Sequence, residues 1–188
     1  MRQRLSELLS YMDESRSKLL ATVEESSPAL STLRVRDGEW SVAEILAHLA
    51  IVERGVARLV AKAVARARES GVAPEIDDSS IMNTIDHFAM LSLANKRAAP
   101  AMVVPAADTP ADESLQSLSQ SRIALKKALA DGDGLDLCAV KSAHVTLGEL
   151  DMYQWALFVA QHETRHRAQI DRTIREVTGR AAECAPIV

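Results

Sequence analysis

At 188 residues the chain is long enough for one domain with a sizeable core, and nothing in its composition demands a second. Its 47% hydrophobic and 26% charged residues are the balance of a soluble globular protein rather than of a disordered or membrane-embedded one. A net charge of -4, with basic residues scattered rather than gathered in a stripe, argues against nucleic acid or anionic lipid as a partner.

Two cysteines, Cys138 and Cys184, lack any motif spacing, so no disulfide framework is expected and the reducing cytoplasm is the expected location. The first residues, MRQRLSELLSYMDESRSKLL, carry charges throughout and do not form a secretory signal. No apolar run approaches the roughly 20 residues of a membrane span.

Leu5, Leu8, Leu9, Met12, Leu19, Leu20 and Val23 recur at three- and four-residue steps, which predicts a first helix that Pro28 stops. After a turn at Asp37-Gly38, Ser41 followed by Glu44 has the form of a capping box. It predicts a second helix over roughly 41–69, whose inward stripe is Ile45, His48, Val52, Gly55 and Leu59.

The segment 71–110 is irregular. Ile81, Ile85 and Phe88 behind Ser79-Ser80 suggest a short helix, and Pro100, Pro105 and Pro110 make the remainder a loop over the bundle and a candidate pocket rim. Thr109 is the expected cap of a third helix, with Pro110 at its first position and Leu115, Leu118, Leu125 and Leu129 in its core. The Asp131-Gly132-Asp133-Gly134 turn ends it. Asp151 and Gln154 form a second capping box, which opens a fourth helix over roughly 152–177, stopped by Gly179. Apolar-polar alternation is missing, so no strand is expected and the fold class is all-α, a four-helix bundle.

The histidines are His48, His87, His144, His162 and His166. His162 and His166 stand four apart on the fourth helix, so their imidazoles lie one turn apart on one face and can reach a single metal ion. Trp155, Phe158, Val159, Gln169 and Ile170 share that face, which turns the pair into the bundle. Alone, His48 on its apolar stripe reads as a core residue; beside the pair it becomes a candidate third ligand, because buried imidazoles need partners that a metal supplies. His87 and His144 are assigned surface or lining roles.

The string His162-Glu163-Thr164-Arg165-His166 also matches H-E-x-x-H, in which the glutamate serves as general base of a zinc protease. That reading lacks the sheet edge and the third ligand such proteases use, since Glu176 and Glu183 are poorly placed. Glu163 stands about 100° from His162 and is a candidate catalytic base or a surface charge. Arg165 and Gln169 flank the pair as candidate substrate-binding residues. Glu44 is explained by its cap, and Cys138 reads as a small buried apolar residue.

Trp40-Ser41-Val42-Ala43-Glu44-Ile45-Leu46-Ala47-His48-Leu49, then Leu147-Gly148-Glu149-Leu150, then His162 through Ile170 follow one another in an order that resembles the DinB/YfiT-like superfamily, whose members are read as metalloenzymes. The resemblance spans nearly the whole chain. It implies a single four-helix bundle with a long crossover connection, a site for one divalent ion such as zinc, nickel or iron at His48, His162 and His166, and a homodimer. It further implies thiol-dependent S-transfer on a small molecule with a low-molecular-weight thiol; the alternatives are a hydrolase acting through metal-activated water and a non-enzymatic metal- or ligand-binding stress-response protein.

Overall fold

A computed structural model describes residues 1–24, 31–92 and 98–183. Four long helices dominate it: α1 (Gln3–Glu24), α2 (Val42–Glu69), α3 (Ala111–Ala130) and α4 (Met152–Glu183). α2 packs chiefly on α3 and α1 on α4, while α2 and α4 meet across the middle of the bundle. The long crossover is the run between α2 and α3. Among the described residues no helix is long and apolar enough to cross a membrane.

The core has two parts that follow from the helical stripes. Leu5, Leu8 and Met12 of α1 join Val56, Val60 and Val64 of α2 and Tyr153, Ala156 and Leu157 of α4; Leu19, Ile45, Leu46, Leu49, Leu118 and Ile170 form the second cluster. Early α2 thus meets late α4 and late α2 meets early α4, so the two helices run antiparallel. Each fully buried leucine contributes about 1.5–3 kcal/mol.

α2 begins as its sequence dictates. Ser41 Oγ accepts from the Glu44 amide at 3.2 Å, and Glu44 Oε2 accepts from the Ser41 amide at 2.8 Å. The helix ends at Ser70, with Gly71 in the left-handed region at φ +69. Asp151 and Gln154 make the same reciprocal pair at the start of α4, at 2.8 and 3.1 Å.

Several elements depart from the sequence reading. The stop assigned to Pro28 lies outside the described residues, and α4 continues past Gly179 to Glu183, because one exposed glycine costs a helix only about 1 kcal/mol. Thr109 does not cap α3: its hydroxyl donates to the Ala106 carbonyl at 2.9 Å, and Pro110 itself holds the cap position, so the helix begins one residue later than expected. The helix expected over Ile81–Phe88 is a set of turns ending in one 3-10 turn, Asp86–Phe88. Arg4 holds Ser79 through its carbonyl at 2.8 Å and its hydroxyl at 2.6 Å, so that serine is unavailable as a cap.

The largest departure is a hairpin where no strand is expected. β1 (Lys141–His144) pairs antiparallel with β2 (Gly148–Asp151), Ser142 opposite Leu150. Its turn is closed by a side chain: His144 Nδ1 accepts from the Thr146 and Leu147 amides, each at 3.2 Å. Gly148, at φ +82, returns the chain, and Trp155 Nε1 donates to the Ser142 carbonyl at 3.2 Å, fastening the hairpin to α4.

Candidate metal centre

His162 and His166 lie one turn apart in the middle of α4, and His48 stands on the first third of α2, directly across from them. Their Nε2 atoms converge: His162 Nε2 is 3.1 Å from His166 Nε2 and 3.3 Å from His48 Nε2. These three form a group whose ligand atoms lie within 4.8 Å of one another.

The outer nitrogens explain why the inner ones face each other. His48 Nδ1 lies 2.8 Å from the Val103 carbonyl, which can only accept, so the proton of that ring is on Nδ1. His166 Nδ1 donates to Gln169 Oε1 at 2.9 Å. Both rings therefore offer a bare Nε2 lone pair to the centre. His162 Nε2 can carry a proton for one of them at most, which leaves an assembly of acceptors short of a positive centre. Burial holds His48 and His162 below the ordinary imidazole value, His162 further through the charges of His166 and His48, and burial followed by His48 takes His166 down to about 3. All three are neutral at pH 7, the form in which histidine binds a metal.

The donor set fits a divalent ion. Imidazole nitrogens bound tetrahedrally at about 2.0–2.1 Å stand ~3.3 Å from each other, and His162 Nε2 already stands at 3.1 and 3.3 Å from the other two. Trp40 lies against His48 with ring centroids 4.8 Å apart, and Phe158 stacks on His162 at 5.3 Å, covering the rings with apolar surface. A cavity of about 630 Å³ opens beside the group, within the usual span for small-molecule sites.

Sequence-based candidates divide here. Gln169 touches His166 directly. Arg165 lines the cavity, and its guanidinium donates to the carbonyls of Met90, at 3.2 Å, and Ser92, tying the crossover to the rim. Met90, Pro100, Met102 and Val103, from the run between α2 and α3, line the cavity. His144 lines the cavity as well, against Trp155 and Phe158, while His87 lies tilted against Phe88 and is not among the lining residues.

Glu163 is not a surface charge. It is 2% exposed, with Oε1 paired to Arg16 and Oε2 accepting from Arg122 Nη2 at 3.0 Å and Ser15 Oγ at 2.8 Å. Glu53 completes the square through Arg16 at 2.8 Å and Arg122 at 2.5 Å. Four helices each give one charged residue to this buried network, and none of the four is among the sequence-based candidates as an ion pair. A signal existed: Arg122 falls between Leu118 and Leu125 on the apolar stripe of α3, and Glu53 between Leu49 and Ala57 on α2. Val103 carried none, because its part is played by a backbone carbonyl.

The family model of the DinB superfamily matches residues 11–170. The chain belongs to the DinB superfamily. The matched span takes in all three histidines, the whole of α2 and α3 and much of α1 and α4. This DinB chain is also similar to the crystal structure of TT2238, described as a four-helix bundle protein, with a TM-score of 0.59 and 24% identity over 89% of this chain and 98% of that one. That likeness concerns the fold. Among curated proteins none matches the chain.

Proposed function

We propose that this DinB-superfamily protein is a metal-dependent enzyme that holds one divalent ion, zinc, nickel or iron, through His48, His162 and His166, and that it joins the sulfur of an intact low-molecular-weight thiol to a small electrophile, the thiol losing its proton and the electrophile its leaving group as the new carbon–sulfur bond forms. The observation that carries the reading is the convergence of three Nε2 atoms at 3.1 and 3.3 Å with two of the outer nitrogens already engaged. Three protein ligands are the number found where a coordination position is kept for substrate. When bound, the ion supplies Lewis acidity that favours the deprotonated form of a thiol or water reaching it.

The chain's own residues supply the rest. Val103 and Gln169 hold two rings in the tautomer that presents Nε2 inward. Trp40 and Phe158 exclude water from the imidazole faces. Arg165 keeps the crossover at the rim, where it and Gln169 stand beside any substrate. What favours transfer over hydrolysis is Glu163: both of its oxygens are bonded to Arg16, Arg122 and Ser15, so the base that a hydrolytic reading needs is engaged elsewhere. A single-domain homodimer in the cytoplasm belongs to the same reading, its dimeric state checked by sedimentation.

The test uses protein purified without a histidine tag. Elemental analysis is expected to find about one metal per chain and His162→Ala to lose most of it. Thiol-dependent consumption of an electrophile such as 1-chloro-2,4-dinitrobenzene is expected, and it disappears in His48→Ala. Metal-free protein of full stability with no recoverable ion affinity refutes the reading; turnover that needs no thiol refutes the transfer.

A further inference from the structure

Gly55 stands in the interior of α2, where glycine is less stable than alanine, and the bundle gives no packing reason for it. Its backbone is not in the left-handed region, and a Cβ built there would meet no atom within 4 Å. Neither strain nor close approach of a neighbouring helix accounts for the missing side chain. Gly55 does line the cavity beside the histidines. His48, Val52, Gly55 and Leu59 follow at steps of four, three and four residues, so they share one stripe, and Gly55 lies two turns, about 10 Å, from His48.

The arm of the cavity on this side is apolar. Ile51, Val52 and Leu59 line it from α2, and Trp155 and Phe158 from α4. The one polar hydrogen among these side chains, on Trp155 Nε1, is donated to the Ser142 carbonyl. Gly55 is exposed and Ile51, Val52 and Leu59 are half-buried, so a neutral apolar group laid along this wall covers apolar surface that water now reaches, and a charged group finds no partner in it. The cavity of about 630 Å³ has the size of a small-molecule site rather than a groove for a helix.

We infer that this arm receives an apolar substituent of the substrate, and that Gly55 is a specificity-determining position whose bare backbone sets how far the substituent extends from the histidines. The substrate class is then a small molecule with a reactive end at the imidazoles and a neutral, apolar tail about 10 Å long along α2. The inference rests on the reading of the histidine cavity as the working site.

N-phenyl-1-naphthylamine, a neutral apolar fluorophore, is the probe. The wild-type chain is expected to bind it with enhanced emission. Gly55→Ala binds within about twofold of wild type and melts at a higher temperature, since the added methyl enters open space. Gly55→Leu fills the arm and weakens binding by about tenfold or more. Should Gly55→Leu fail to fold by circular dichroism, Leu59→Lys, at a half-buried position, carries the same expected loss. No binding by the wild type, or equal affinity in the wild type and a folded arm-filling variant, overturns the inference. Metal content measured on the same samples separates the two readings: a Gly55-dependent probe affinity in protein that takes up no metal leaves the arm standing and removes the metal centre.

Discussion

Gln169 Oε1 accepts a hydrogen bond from His166 Nδ1 at 2.9 Å, three residues back along the same helix. The pair needs no tertiary contact to form, since residues three apart are neighbours on a helix. Its effect is to fix the His166 tautomer and to direct Nε2 at the other two imidazoles. Partners of this kind typically change metal affinity by about 10–100-fold. Gln169→Ala is therefore expected to weaken zinc binding by about that factor while leaving about one site per chain at saturation. Competition against a chromophoric chelator measures it. Unchanged affinity would show that the ring is oriented by its packing alone.

Among the described residues Tyr153 is the largest fully buried side chain, and its hydroxyl donates to Glu75 Oε2 at 2.7 Å. The same carboxylate pairs with Arg4 through Oε1 at 3.3 Å. α1, the start of the crossover and the start of α4 are joined by this one glutamate. Tyr153→Phe keeps the ring and removes the donor. With a charged acceptor left short of one bond, the expected loss is about 1.5–3 kcal/mol. Urea denaturation, with an unchanged slope and a lower midpoint, is the measurement.

The parts that could be read from the sequence are those written in local spacing. The His162 and His166 clip follows from a step of four, and both capping boxes from a step of three. His48 needed a second helix to be placed opposite the first, which spacing alone does not do. The hairpin escaped because strands of four residues are too short for alternation to register, and its turn is closed by His144 and Gly148 rather than by a turn dipeptide. The buried network around Glu163 is illegible for a related reason. A helical wheel sets the angle of Glu163 from His162 but says nothing of Arg16 and Arg122 on neighbouring helices, which make that side of α4 buried ground.

Cys138 lies half-buried near Arg4, and burial together with Asp151 pushes its thiol up to about 11 from an ordinary 9.0. The thiolate is the reactive form. Because the value is raised, reactivity is suppressed at neutral pH and grows as pH rises towards 11. In a Cys184→Ser background, alkylation by iodoacetamide at about pH 8 is expected to be roughly a hundredfold slower than for a free thiol, with the rate still climbing at about pH 10. A rate that levels off near pH 9 would contradict the burial argument. The outcome also bears on mechanism, since a thiol this unreactive is no nucleophile for the proposed transfer.

Glu163 offers the clearest separation of structural from chemical roles. As a general base its removal would lower turnover by about 10²–10⁴-fold with little effect on folding. As the partner of Arg16 and Arg122 its removal leaves two buried guanidinium groups short of charge, at about 3–5 kcal/mol. Glu163→Gln keeps the shape and can still bond Ser15 and one arginine, so it is expected to lower the denaturation midpoint sharply. In the fraction that remains folded, metal content and thiol-dependent turnover are expected to stay within a few-fold of wild type. Arg122→Met with Glu163→Leu supplies the complementary measurement: a paired removal should recover stability relative to Glu163→Leu alone, because it takes away one of the stranded charges. A stable Glu163→Gln chain with metal bound and turnover abolished would instead restore Glu163 as the base and with it the hydrolytic alternative.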